Sequence, residues 1–130
     1  MEAYTYAPPK LRDTIVHGKP EPYSMKVALT TVGSMMVELI QPLEGKSVYR
    51  EFLGEKGEGV HHLASYAVDD VDLAIANLER KGIKILQSGR FVSGNFDVLF
   101  VYMGTEKLTG ITFELVKARG TRPPPEEIYP

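Results

Sequence analysis

The sequence predicts an α+β fold made of two related modules, the first of them incomplete. Two observations carry this. From residue 60 the chain reads strand, helix, strand, strand, strand, whereas residues 23–56 read strand, strand, helix, the end of such a unit plus a connector. The two parts also echo each other: Val37-Glu38-Leu39-Ile40 closes the first and Phe113-Glu114-Leu115-Val116 the second, each an apolar strand carrying one carboxylate. The expected organisation is an extended N-terminal lead over residues 1–22, a partial first module over 23–56, a complete second module over 57–117 and a Pro-rich C-terminal arm over 118–130.

Each element has a local reason. The lead holds Pro8, Pro9, Pro20 and Pro22 among scattered charges and reads as irregular or extended chain. Residues 25–32 and 34–41 are β-rich and meet at Gly33, which predicts a hairpin ending at Pro42. Ser47 can cap a helix whose apolar face is Val48, Tyr49, Phe52 and Leu53 and which Gly54 and Gly57 end. After a strand over residues 60–68, Asp69 or Asp70 caps a helix with Val71, Ile75 and Leu78 on one stripe and Gly82 past its end. Strands follow over residues 83–87, 96–103 and 111–117, with a turn region at 105–110.

Composition narrows the functional classes. A chain of 130 residues fits one domain or two small modules sharing a core. A net charge of −2 gives no basic surface for nucleic acid. The absence of cysteine removes disulfides, thiolate metal sites and cysteine nucleophiles, and it suits a reducing cytoplasm. No apolar run approaches the roughly 20 residues that a membrane helix needs. The expectation is a cytoplasmic protein that binds neither nucleic acid nor membrane.

Burying a carboxylate in an apolar strand is costly unless something compensates it. Alternation places Glu38 on one face with Met36 and Ile40, Glu114 with Thr112 and Val116, and His62 with Val60 and Ala64. One imidazole and two carboxylates form a set for a divalent ion that takes nitrogen and oxygen ligands, such as Mn, Fe, Co, Ni or Zn. The plainer alternative puts both glutamates on solvent-facing sides of half-exposed strands, with His61 and His62 as one surface and one core histidine. His17 reads as a loop residue. Capping and the helix dipole account for Asp69, Asp70 and Asp72. Glu44-Gly45-Lys46-Ser47 resembles the end of a phosphate-binding loop, but Ile40 stands where the earlier glycine is required. Lys46 and Arg50 read as a solvated face.

Four stretches taken together are similar to a known group: residues 37–43 with 49–53, Gly57-Glu58-Gly59-Val60-His61-His62-Leu63-Ala64, Val68-Asp69-Asp70-Val71-Asp72, and Gly110-Ile111-Thr112-Phe113-Glu114-Leu115. They resemble, in order, the middle and closing strand of the vicinal-oxygen-chelate superfamily, which includes glyoxalases, bleomycin resistance proteins and dioxygenases. Methylmalonyl-CoA epimerase and lactoylglutathione lyase-like proteins are the nearest in look. The resemblance implies paired βαβββ modules whose curved mixed sheets form a cupped cavity with a divalent metal on its floor. Carried over residue by residue, it makes Glu38, His62 and Glu114 ligands, and Glu114 also a catalytic base.

The fourth ligand of the family pattern, a histidine on the very first strand, has no counterpart here. The expectation is that water, another chain or upstream sequence fills that corner, and that the protein forms a homodimer, with strand exchange as one route. The stretch from His62 to Val68 also carries one residue more than the family pattern, around Ser65-Tyr66, which leaves open whether His61 or His62 points inward. The implied function is a metal-dependent isomerase, epimerase or lyase that abstracts a proton alpha to a carbonyl of a small molecule. The alternatives are a non-catalytic small-molecule-binding protein of the same fold, or a truncated paralogue acting only as an oligomer.

Overall fold

A computed structural model describes residues 1–65 and 69–130 of the chain. Two curved sheets face each other. One is antiparallel, four-stranded, with order β10-β1-β4-β5, formed by β1 (Glu2–Tyr6), β4 (Tyr23–Val32), β5 (Met35–Gly45) and β10 (Glu127–Ile128). The other has six strands in the order β3-β2-β7-β8-β9-β6: β2 (Leu11–Val16), β3 (Lys19–Pro20), β6 (His62–Ser65), β7 (Ile85–Ser93), β8 (Phe96–Met103) and β9 (Thr112–Arg119). It is mixed, because β6 runs parallel to β9 while the other pairings are antiparallel. The class is α+β, as the sequence predicts.

Two of the three helices among the described residues are locally encoded. In α1 (Val48–Lys56) the Ser47 hydroxyl accepts from Arg50 N at 3.2 Å, and Gly57, with φ of 72°, ends the helix. Asp70 caps α2 (Val71–Arg80) by accepting from Leu73 N at 2.9 Å, and Asp72 lies in its first turn. A short α3 (Glu106–Thr109) forms where the sequence predicts only a turn.

The lead predicted over residues 1–22 is instead strand in both sheets. β1 pairs with β4 along Glu2↔Leu29 to Tyr6↔Met25, and β2 pairs with β7. Tyr4, Tyr6, Leu11 and Val16 are buried, so this segment helps build the core, and Tyr6 stacks on Phe91 with ring centroids 3.9 Å apart. The prolines misdirect the reading because they sit between strands or at edges, where a missing N–H costs little. For the same reason β5 runs through Pro42 to Gly45: no strand lies outside it among the described residues. Of the strand expected at 60–68, residues 62–65 are strand and 66–68 lie outside the described residues, together with Tyr66 of the proposed extra residue.

The larger core lies between the sheets and α1. It includes Tyr23, Val27, Val48, Tyr49, Phe91, Phe100, Tyr102 and Val116. Gly89 permits a close approach within it: a Cβ there would come within 2.7 Å of Phe100 Cζ and 2.8 Å of Tyr23 Oη. The second core lies on the other face of the six-stranded sheet, where α2 covers Val101, Met103 and Leu115. Glu114 and Leu115 thus point to opposite sides, and the carboxylate goes toward the inter-sheet core.

Candidate metal centre

The structure brings Glu38, His62 and Glu114 together, one ligand atom from each lying within 4.8 Å of the others. Register explains the convergence. In the parallel pair β6–β9, His62 lies opposite Thr112 and Ala64 opposite Glu114; Tyr102 of β8 flanks Glu114 on its other side. Glu38 comes from the four-stranded sheet, opposite Leu29 on β4, and so reaches the cluster from across the interior.

His62 Nε2 is 3.2 Å from Glu114 Oε2 and 3.3 Å from Glu38 Oε2. Ligand bonds near 2.1 Å set neighbouring donors roughly 3.0–3.5 Å apart, so these spacings fit one shared divalent ion. The depths differ: the side chains of His62 and Glu114 are 10% and 8% exposed, that of Glu38 32%. Glu38 is thus the partly solvated carboxylate of the plainer sequence reading, and Glu114 is not.

The electrostatics follow from these contacts. Burial lowers the His62 pKa, but hydrogen bonds and charge from Glu114 and Glu38 outweigh it and bring it to about 9. Burial raises Glu114, with His62 pulling the other way, so the proton between them belongs to the pair. His61 is brought down to about 4 by burial and by the neighbouring charge of His62. The open question about the two histidines is answered by atom position: His62 presents Nε2 to the carboxylates, while its Nδ1 lies 3.0 Å from His61 Nδ1.

An aromatic shell surrounds the cluster. Tyr49 of α1 donates its hydroxyl to Tyr102 at 2.8 Å, and burial holds both phenols well above their ordinary pKa, so they stay neutral. Tyr102 also packs edge-on against both histidines. The sequence reading leaves Tyr102 unnoticed, although the 105–110 turn between two antiparallel strands would place it opposite Glu114. The remaining candidates lie elsewhere. His17, with φ of 50°, pairs through Nε2 with Glu51 at 2.8 Å. Arg50, read as solvated, bonds the Leu43 and Gly45 carbonyls at 2.7 and 3.2 Å and ties the end of β5 to α1. Among the described residues no helix is long and apolar enough to cross a membrane.

Comparison with known proteins points the same way as the fold. The sequence model of the family described as "Glyoxalase/Bleomycin resistance protein/Dioxygenase superfamily" matches residues 10–102. The match begins inside the N-terminal strands and ends at Tyr102, ahead of β9. An uncharacterized protein of Bacillus subtilis (strain 168), YqjC, is 43% identical over 44 residues, 34% of this chain and 31% of that protein. The chain therefore matches less than a third of that relative's length. The crystal structure of a hypothetical protein from Bacillus halodurans C-125 superposes with a TM-score of 0.57 at 22% identity, covering 76% of this chain and 70% of the other. That likeness is one of fold.

Proposed function

Because the chain belongs to the glyoxalase/bleomycin resistance protein/dioxygenase superfamily, we propose that it is a metal-dependent enzyme that moves a proton alpha to a carbonyl in a small molecule, as an isomerase, epimerase or lyase. The observation that carries this reading is the convergence of one imidazole nitrogen and two carboxylate oxygens at ligand spacing, at the margin of an aromatic core. Glu38, His62 and Glu114 would hold a divalent ion of the Mn, Fe, Co, Ni or Zn group. Such an ion supplies Lewis-acid polarisation of neighbouring substrate oxygens.

The chain's own residues divide the remaining work. Glu114 is the base: its buried carboxylate accepts the proton released from the substrate carbon. The neutral Tyr49–Tyr102 pair, with Tyr102 opposite Glu114 in the sheet, lines the site without competing as an acid. Glu38, the most open member, faces the side from which a substrate enters. The functional unit is a homodimer, supported by the free edge of β5 and by Val32, Met35 and Leu39, each more than half exposed.

The test is carbon-bound hydrogen exchange. Protein loaded in turn with Zn²⁺, Co²⁺, Ni²⁺ and Mn²⁺ is incubated in D₂O with a branched malonyl thioester and with a hemithioacetal, and deuterium entry at the alpha carbon is followed by proton NMR. Exchange with at least one ion, lost about 100-fold or more in Glu114→Gln, is expected. Ion retention without exchange on any substrate favours the second reading, a binding protein of the same fold. That reading has a specific observation behind it, the absence of a fourth protein donor from the cluster among the described residues. Failure to retain any ion removes the enzyme reading. Mass measurement in solution tests the dimer, and a single species of one subunit mass would exclude it.

A further inference from the structure

We propose that His61 is a positioning residue of this centre: it accepts a hydrogen bond from His62 Nδ1–H and so fixes the His62 tautomer whose Nε2 lone pair faces Glu38 and Glu114. This rests on the metal-centre reading above. The two Nδ1 atoms are 3.0 Å apart, so one ring donates and the other accepts.

Proton bookkeeping decides which. In the metal-free protein His62 Nε2 lies between two carboxylate oxygens at 3.2 and 3.3 Å, so any proton it holds there points toward them. To bind an ion, Nε2 must give that proton up. The proton left on the neutral ring then has to be on Nδ1, where the acceptor within reach is His61 Nδ1. Were His61 the donor, the His62 proton would be driven onto Nε2, between the carboxylates, and would block the ligand position. The direction His62 to His61 is therefore the one that serves both states, and the ring need not turn between them.

The surroundings keep His61 in register. Its ring packs edge-on against Phe52 at 5.1 Å and against Tyr49 and Tyr102 at 5.6 Å each. Two of these contacts come from α1, whose first turn is held to the six-stranded sheet by Val48 N donating to Gln87 Oε1 at 2.9 Å. Adjacent residues on an extended strand point to opposite faces. His61 can turn back beside His62 because it lies just ahead of β6, outside the regular strand. Two successive histidines thus become a ligand and its orienting partner.

The test uses two substitutions with opposite predictions. His61→Phe keeps the aromatic volume and removes the acceptor. His61→Asn shrinks the ring but keeps an oxygen acceptor at the position of Nδ1. Zn²⁺ dissociation constants are measured by competition with a chromophoric chelator, with folding checked by circular dichroism. Loss of the partner that orients a histidine ligand is expected to weaken Zn²⁺ binding about 10- to 100-fold in His61→Phe, and His61→Asn should stay within about threefold of the parent. Equal weakening in both variants, or none in His61→Phe, overturns the proposal.

Should His61→Phe not fold, long-range ¹H–¹⁵N spectra of the Zn²⁺-loaded parent decide. His62 protonated at Nδ1 and His61 protonated at Nε2 are expected, and a His61 proton on Nδ1 overturns the assignment. A parent that binds no Zn²⁺, with His62→Ala unchanged from it, fails at the earlier step and overturns the metal reading itself.

Discussion

The two strands that echo each other end in different environments. In β9, Glu114 is buried and Leu115 lies beneath α2, packed with Val101 and Met103. In β5, the corresponding Glu38 is a third exposed, and Leu39 is 54% exposed with no helix over it among the described residues. The sequence pattern is nearly the same; the neighbours are not. β9 lies between β8 and β6, whereas β5 is an edge. An apolar strand with one carboxylate specifies which face the carboxylate takes, while the elements on either side decide how deep it sits.

The sharpest way to break this comparison is one truncation made in both strands. Leu115→Ala should cost about 3 kcal/mol, because it opens a cavity under α2 that the sheet cannot close. Leu39→Ala should change stability by less than about 0.5 kcal/mol in a monomeric chain. Urea denaturation of the two variants measures the difference. A large loss in Leu39→Ala would mean that something covers the outer face of β5 in solution, which a rise in loss with protein concentration would identify as a second copy.

Removing the carboxylates probes the inner faces in the same way. Glu114→Ala leaves the buried His62 without its nearer partner and should cost about 2 kcal/mol in the metal-free protein. Glu38→Ala, at the open side, should cost under about 1 kcal/mol. Equal losses would show that the two glutamates share the charge of His62 evenly in spite of their different depths.

The same distinction separates what was legible in the sequence from what was not. The superfamily and the α+β class were legible, because ordered local motifs, caps at Ser47 and Asp70, and two-residue alternation are local properties. Alternation alone left the faces of Glu38, His62 and Glu114 open; it was the family resemblance that joined them in one ligand set, and the structure brings the three together. The N-terminal strands were not legible. β1 and β2 owe their existence to β4 and β7, and no local pattern in a proline-marked segment announces partners about 25 and 75 residues away. The 10–102 family match includes β2 and β3. Of the aromatic shell only Tyr102 had a local signal, the turn that sets it opposite Glu114; Tyr49 and His61 come from a helix and a loop that meet it only after folding.

The smallest expected effect is a pH dependence that tells the two carboxylates apart. In the metal-free protein His62 has its pKa raised from 6.5 to about 9, so its charged form favours the folded state. That contribution is complete below about 6.5, where folded and unfolded chains both hold the proton. Above it the unfolded chain gives the proton up first, and stability falls as the pH rises toward 9, on the order of 1 kcal/mol once solvent screening through the open side is allowed for. His61, Tyr49 and Tyr102 surround the ring but do not change charge between 6.5 and 9, since His61 titrates near 4 and both phenols titrate well above 10. The dependence therefore belongs to His62 and the two glutamates. Glu114→Gln should remove most of it, and Glu38→Gln should leave more than half, as measured by urea midpoints at pH 6.5 and 9 in the presence of a chelator. The reverse order would place the stronger partner at the open edge and would reassign the buried carboxylate from holding the imidazolium to holding its own proton.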